Sequence, residues 1–579
     1  MGPKVAFSEE LHAQKYRGKG ESFREAMTRV ASALRDNNDH FEHFRDTLLS
    51  MRFMPAGRIQ AAMGSTRNVT AYNCFVSGTI ADSFVDGPGS IMERATEAAA
   101  TMRAGGGIGY DFSTLRPRGA MIKKLESQSS GPVAFMGIYD AVCRTVASSG
   151  HRRGAQMGVL RVDHPDIEEF IHAKRNESAL TGFNVSIAIT DEFMACLMTG
   201  KPFPLRFDGQ VHRFVDADAL FEMIMRNTWD WAEPGVLFVD TINRMNNLYY
   251  CEEISATNPC GEQPLPPYGA CLLGSFNAVK YLMPNGDGSF GFDWTGLKLD
   301  IPPVVRAMDN VVTRAAYPLE AQQREALNKR RMGLGITGLA NAAEAMGLPY
   351  GSAQFLHFER DLLETIRDHC YLASVELAVE KGPFPLFDAE HYSRGNFIKT
   401  LPETIQNEIF VHGIRNSHLT SIAPTGTISL CADNISSGIE PVFSYGFDRT
   451  VQTFNGPVVE KVQDYGAAFL GVKGKRATEV TIDEHLDVLD VAASCVDSAV
   501  SKTLNVDSSV NWDDFKKIYV HAWERNIKGC TTYRTDGKRA GVLVSEDDSK
   551  DDAPVVKMND DEPAEACYID PTTGRRECE

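Results

Sequence analysis

The stretch Ser255-Ala256-Thr257-Asn258-Pro259-Cys260-Gly261-Glu262-Gln263-Pro264-Leu265 sets one cysteine between a proline and a glycine. Proline fixes φ and glycine permits a sharp reversal, so the segment predicts a tight, stiff loop that presents a single thiol. Asn258 and Glu262 flank Cys260 at two residues on either side. In extended backbone that spacing puts amide, thiol and carboxylate on one side. Such a trio could bind and deprotonate a hydroxyl while the sulfur reacts. A metal-type loop, or a plain turn around a buried cysteine, are the competing explanations. Zinc would call for more cysteines or histidines at short spacing. Cys251 lies nine residues upstream and Cys271 eleven downstream, so neither forms a CxxC pair with Cys260.

Outward from this loop, helical and strand-like segments alternate, a pattern that predicts an α/β architecture rich in parallel strand. Residues 8–54 read as helical, with Phe23, Met27, Val30, Ala33 and Leu34 at helical spacing. Helices are predicted over 90–104, 217–232 and 357–381, and strands over 71–77, Phe183–Ile189, Gly235–Val239 and His418–Ala423. No fixed-period repeat is evident. From Ser545 to Ala566 nine acidic residues meet two lysines and almost no large apolar side chains, which predicts a flexible linker. Beyond it stand Cys567-Tyr568-Ile569-Asp570-Pro571 and Gly574-Arg575-Arg576-Glu577-Cys578.

The 579 residues, 43% hydrophobic and 23% charged, suit a globular protein with a large core. A formal charge of −18 argues against a nucleic-acid polymer as partner, although a small anionic site needs only local donors. The absence of an eighteen-residue apolar run predicts no membrane span, and a polar start lacking a signal-peptide core predicts a cytoplasmic protein. Twelve cysteines are too few for a disulfide scaffold, so most are expected to be reduced thiols. Cys143, Cys196, Cys370 and Cys495 read as buried small hydrophobes.

Other segments stand in a definite order around the loop. They are Asn73-Cys74-Phe75-Val76, Gly105-Gly106-Gly107-Ile108-Gly109, Leu115-Arg116-Pro117-Arg118-Gly119 and Arg152-Arg153-Gly154-Ala155-Gln156-Met157. Gly269-Ala270-Cys271-Leu272-Leu273-Gly274-Ser275, Ala423-Pro424-Thr425-Gly426-Thr427-Ile428-Ser429 and Ser437-Gly438-Ile439-Glu440-Pro441 follow. From about residue 50 to 540 this ordered set resembles the ribonucleotide reductase family, in which an Asn-x-Cys-x-Glu finger loop sits inside a ten-stranded α/β barrel. The resemblance implies three parts: an N-terminal helical segment over 1–57, the barrel over 58–543, and a linker with a cysteine tail over 544–579.

It also implies reduction of ribonucleotides, expected to be diphosphates, to 2′-deoxyribonucleotides by a thiyl radical. A thiyl suits the task because S–H and ribose C–H bonds are close enough in strength for reversible exchange. On the family pattern Cys260 carries the radical, Glu262 takes the 3′-hydroxyl proton and Asn258 hydrogen-bonds the substrate. Cys74 and Cys271 would supply two electrons and end as a disulfide, which requires their Cα atoms to lie within roughly 7 Å. Cys567 and Cys578 would re-reduce that disulfide by thiol–disulfide exchange. Many family members carry a closer pair there, and incidental tail cysteines are the alternative. Thr425, Gly426, Thr427, Ile428 and Ser429 are the expected substrate-phosphate site, with backbone N–H groups at a helix start. Simple capping by Thr425 or Thr427 is the alternative.

Lys528-Gly529-Cys530-Thr531-Thr532-Tyr533-Arg534 has one tyrosine where oxygen-dependent members carry an adjacent pair, and no glycyl-radical motif is evident. This segment and Asn-Pro-Cys-Gly-Glu-Gln-Pro-Leu resemble the adenosylcobalamin-dependent class. Adenosylcobalamin is therefore the expected cofactor, and cobalt within it the only expected metal. An oxygen-dependent catalytic subunit awaiting a metal-bearing partner is one rival reading. A non-catalytic nucleotide-binding regulator is another, although Cys74, Cys260 and Cys271 are all retained. About fifty residues precede the Met54-Pro55-Ala56-Gly57 turn, too few for the family's ATP/dATP activity module, so no on/off control is expected. Asp82 and Ser83 fall where family members bind a dNTP effector across a dimer contact, with Asp82 as a helix cap the alternative. Lys123–Gly131 and Ser148–Gln156 would then link effector to substrate, through Arg152, Arg153 and Gln156. A thioredoxin- or glutaredoxin-like reductant and a second copy of the chain complete the expected partners.

Overall fold

The computed structural model describes residues 2–123, 125–146, 155–176, 179–453, 456–534, 537–538, 567–570 and 575–578. Arg152, Arg153, most of the 148–156 loop and the acidic 545–566 stretch lie outside them. The segment read as helical over 8–54 divides into α1 (Ala6–Tyr16), α2 (Phe23–Leu34) and α3 (Asn38–Leu49). The divisions have local causes. A reciprocal Ser22–Glu25 capping box opens α2, and the Asn37 side chain accepts from the His40 N–H to open α3; caps of this kind are worth about 1 kcal/mol each. Phe23, Met27, Val30, Ala31 and Leu34 form the buried stripe of α2, so Ala31 takes the place foreseen for Ala33.

Ten strands share one sheet: β1 (Phe53–Pro55), β2 (Cys74–Val76), β3 (Gly107–Asp111), β4 (Gln156–Arg161), β5 (Phe183–Ile189), β6 (Gly235–Phe238), β7 (Ala270–Asn277), β8 (Met332–Thr337), β9 (Thr503–Val506) and β10 (Gly529–Arg534). Their order is β1-β7-β2-β3-β4-β5-β6-β10-β9, with β8 on the other side of β7. Strands β2 to β6 run parallel. The β7–β8 and β9–β10 pairs are also parallel within themselves, and β7 and β10 run antiparallel to the central block. All seven residues of β5 are buried, as covering on both faces of a parallel sheet demands.

Helices α5 (Ile91–Arg103), α6 (Ala217–Trp231) and α7 (Ala353–Lys381) pack on β3, β10 and β8 respectively, while α4 (Gly57–Ala62) and α8 (Gly426–Cys431) both pack on α1. Strands β2, β4, β5, β6 and β7 gather Val76, Met157, Val159, Ala188, Leu237 and Cys271 around Ala256 and Leu265 at the base of the 258–262 loop. Each buried valine, leucine or methionine among them contributes on the order of 1.5–3 kcal/mol.

The strand foreseen over His418–Ala423 is reduced to isolated bridges, Leu334↔Thr420 and Ile422↔Val500. The buried Asp497 carboxylate accepts from the Leu419 and Thr420 N–H groups at 2.7 and 3.0 Å, taking donors that a regular ladder would use. Among the described residues no helix is long and apolar enough to cross a membrane.

Candidate active site

The loop foreseen around Cys260 rises from a short antiparallel pair, Ala256–Thr257 with Pro264–Leu265. Gly261 has φ +85°, a conformation that side-chain-bearing residues rarely adopt. Asn258 organises the turn. Its Oδ1 accepts from the N–H groups of Gly261 (3.1 Å) and Gln263 (2.9 Å) and from Thr257 Oγ1 (3.1 Å). With the oxygen so committed, the amide orientation is settled and Nδ2 donates to Cys74 Sγ at 3.2 Å. The Glu262 carbonyl accepts from Ala499 N–H and Ser421 Oγ, both at 3.0 Å. Below, the loop lies on bare backbone: a Cβ at Gly109 of β3 would overlap the Thr257 carbonyl oxygen, and one at Gly107 would sit 3.0 Å from Pro259 Cγ.

Cys74 and Cys271 are register partners on the antiparallel strands β2 and β7. Cα atoms in such a position lie about 5.5 Å apart, within disulfide reach. Both are free thiols here, whereas Cys260 is disulfide-bonded. Cys74 Sγ stands 3.8 Å from Glu262 Oε1. Burial pushes the Cys74 thiol well above the usual range, and the Glu262 carboxylate adds to the effect. Burial raises Cys271 likewise, while the nearby Arg331 guanidinium opposes the shift.

Thiolates, not thiols, react with alkylating agents. For raised thiols the reactive fraction at pH 8 is small, and it grows only as pH climbs toward the raised value. On reduced protein at pH 8, iodoacetamide is expected to label Cys196, half-buried, and Cys251, exposed and with a thiol raised less far, well before Cys74 and Cys271. Peptide mass spectrometry reads the order, and equal rates at all four would contradict this description. Cys143, Cys370 and Cys495 are buried as foreseen, whereas Cys196 is only half-buried.

A cavity of about 920 Å³, open mouth included, collects these groups. Asn258, Cys260, Glu262 and Cys74 line it together with Gly105–Gly107 and the 423–428 segment. Cys271 lies behind Cys74, fully buried, and is not part of the lining. Thr425, Gly426, Thr427 and Ile428 line the cavity where α8 begins, and Ser429 does not. Thr425 makes no side-chain cap. Its hydroxyl bonds Thr337 Oγ1 (3.0 Å) and accepts from Gly438 N–H (2.7 Å), while Ser429 Oγ donates to the Thr425 carbonyl (2.7 Å). Two lining residues went unnoticed in the sequence, Tyr16 and Arg58. An arginine directly after the Met54–Gly57 turn was the available signal.

A second, smaller depression of about 440 Å³, open mouth included, meets Cys260 and Gly261 from the β5, β6 and β10 side, lined by Ser186, Val236, Leu237, Thr531 and the 499–502 segment.

The remaining expected residues lie elsewhere. Asp82 accepts from Arg116 N–H (3.1 Å) and Nε (2.7 Å), and the cap of α5 is Ser90, so Asp82 caps no helix there. Ser83 Oγ accepts from Asp86 N–H at 3.2 Å. Gln156 is fully buried between Tyr110 OH (2.8 Å) and the Tyr139 carbonyl (3.3 Å). The Cys567–Asp570 and Arg575–Cys578 strands pair with Cys567 opposite Cys578, so a hairpin spans the long spacing between them. That hairpin packs against β5 and α8.

Residues 72–533 match the ribonucleotide reductase barrel domain. Over 564 residues the chain is 34% identical to a vitamin B12-dependent ribonucleoside-diphosphate reductase of Mycobacterium tuberculosis (strain CDC 1551 / Oshkosh), covering 91% of this chain and 78% of the relative. A protein of the same description from Thermoplasma acidophilum is 32% identical over 556 residues, covering 90% of this chain and 69% of the relative. A ribonucleoside-diphosphate reductase subunit alpha of Chlamydia pneumoniae is 25% identical over 466 residues, covering 70% and 44%.

Proposed function

The chain belongs to the ribonucleotide reductase family, and on that premise we propose how its own residues carry the reaction. It is a cobalamin-dependent ribonucleoside-diphosphate reductase, which forms 2′-deoxyribonucleotides. Adenosylcobalamin, when bound, supplies the one-electron oxidising equivalent for the Cys260 thiol, and the Ser186, Val236, Leu237 and Thr531 walls would hold its nucleoside end.

The observation that carries the assignment of roles is the convergence of Cys260, Glu262, Asn258 and Cys74 on one cavity, with Cys271 in register behind Cys74. The Cys260 thiyl takes the 3′-hydrogen. Glu262 accepts the 3′-hydroxyl proton, and Asn258 Nδ2 is the one amide group left to face the sugar. Cys74, kept as a thiol by burial and by Glu262, protonates the departing 2′-hydroxyl, which leaves as water. Cys74 and Cys271 give up two electrons and form a disulfide; Cys260 returns the 3′-hydrogen and regains its radical. The net change is replacement of the 2′-hydroxyl by hydrogen, with one water released and two thiols oxidised to a disulfide. The start of α8, at Thr425–Ile428, takes the substrate phosphates.

The Cys567/Cys578 hairpin re-reduces the Cys74–Cys271 pair, supported by its cross-strand register and by its packing on α8; a thioredoxin- or glutaredoxin-like protein then restores the tail. Closure of the sheet into a ten-stranded barrel belongs to the same reading, as do the divisions at residues 57 and 543. Its support is the pair of bridges from β8 to Thr420 and from Ile422 to Val500, just ahead of β9. A dNTP effector near Asp82 and Ser83 and a homodimer complete the proposal, and the base preference in the presence of each dNTP tests the effector.

The deciding assay is anaerobic turnover of CDP by the purified chain with dithiol, with and without adenosylcobalamin. We expect dCDP only when the cofactor is present. Cofactor-independent turnover, or none in either case, would overturn the reading.

A further inference from the structure

The diphosphate site foreseen in the sequence rested on three hydroxyls and backbone N–H groups. Folding takes two of those hydroxyls away. Thr425 Oγ1 is bonded to Thr337 and Gly438. Ser429 Oγ is bonded to the Thr425 carbonyl and to Ser437 Oγ, and it lies outside the cavity lining. Thr427 is the hydroxyl left along α8 at the wall. Backbone N–H groups carry only partial charge, and a diphosphate brings two to three negative charges into a partly closed space.

Among the described residues one cationic side chain lines that space, Arg58, against one carboxylate, Glu262. Arg58 stands in the first turn of α4 and is only 8% exposed. Its guanidinium lies flat against Gly105: a Cβ there would come within 2.7 Å of Nη2, so the glycine is what leaves the fork its place. Two packing relations bring the turn that carries Arg58 toward the start of α8. Helix α1 packs on both α4 and α8, and Ala56, beside the Arg58 turn, clusters with Cys74, Leu273 and Ala423, two residues ahead of Thr425. A planar guanidinium offers two parallel N–H groups matched to phosphate oxygens, which a threonine cannot.

We infer that Arg58 is a substrate-binding residue, the countercharge for the diphosphate of the nucleotide whose sugar meets Cys260. This deepens the reading given above, on which it rests for the identity of the substrate. The inference concerns binding of an anion; the chemistry at the sugar is left to the loop.

Equilibrium dialysis of the reduced full-length chain against CDP, cytidine and inorganic pyrophosphate tests it, using Arg58→Gln and Arg58→Lys. Loss of one charged hydrogen-bonding partner predicts a roughly 10- to 100-fold weaker CDP affinity for Arg58→Gln. Pyrophosphate should weaken in parallel, cytidine should be unchanged, and Arg58→Lys should lie in between. Cytidine binding also reports that the variant's cavity is intact. CDP and pyrophosphate held as tightly by Arg58→Gln as by the parent would overturn the inference and leave the reductase reading standing. An equal loss for cytidine and CDP would overturn it too, by making Arg58 a structural residue. If the parent binds pyrophosphate through Arg58 but not CDP, the countercharge stands and the assigned substrate falls.

Discussion

Cys260→Ser is expected to reduce dCDP formation by at least about 10³-fold while leaving CDP affinity within a factor of two or so, because the sulfur's contribution is made only at the transition state. The reason is bond strength. An O–H bond is too strong for a serine to exchange hydrogen with ribose carbon, whereas an S–H bond is matched to it. The swap changes one atom at a buried position whose loop is held by Asn258 Oδ1 and by Gly261, neither of which uses the Cys260 side chain. The variant should therefore fold. Product per enzyme by chromatography and CDP affinity by dialysis separate the two effects. Turnover within tenfold of the parent would remove Cys260 from the mechanism, and with it the reading built on this loop.

Gly109→Ala tests the same loop from beneath and touches no reacting group. The new Cβ would overlap the Thr257 carbonyl oxygen and sit 2.9 Å from its carbon, both of them backbone atoms of the finger loop's base. Either the loop lifts or β3 shifts. Overpacking of this kind costs about 1–3 kcal/mol, and a displacement near 1 Å of the reacting sulfur costs roughly 10²-fold in rate. Gly137→Ala is the control. That position lies inside the helix Pro132–Thr145 with nothing within 4 Å of an added Cβ, and alanine there should stabilise by about 0.5–1 kcal/mol. Urea midpoints and turnover numbers of the two variants should diverge in opposite directions. A Gly109→Ala protein as active as the parent would mean that the loop's height above β3 is irrelevant.

Local signals were strong where burial is uniform. The apolar run at Phe183–Ile189 became β5 residue for residue, and the helical period over 217–232 became α6, one residue shorter. They were weak where one side chain redirects a backbone. Nothing in His418–Ala423 shows that Asp497, more than seventy residues later, takes two of its N–H groups. The same holds at the site. The hydroxyls of Thr425 and Ser429 read as phosphate donors because their partners, Thr337, Gly438 and Ser437, are brought in by the fold. Arg58 and Tyr16 were passed over because each sits next to a helix boundary whose pattern says nothing about the cavity it faces.

By itself the sequence determined the segments to which the proposed chemistry is assigned: an Asn-x-Cys-x-Glu loop braced by Pro259 and Gly261, two further cysteines in apolar strands, and a cysteine-bearing tail. Those are properties of short segments, and short-range sterics decide them. Only the tertiary structure set Cys74 opposite Cys271 in strands nearly 200 residues apart, laid the loop on the bare backbone of Gly107 and Gly109, and brought Arg58 and the start of α8 to the wall of one cavity. Such placements follow from strand register and helix packing, which are collective outcomes of burying the whole core and are encoded in no single stretch of chain.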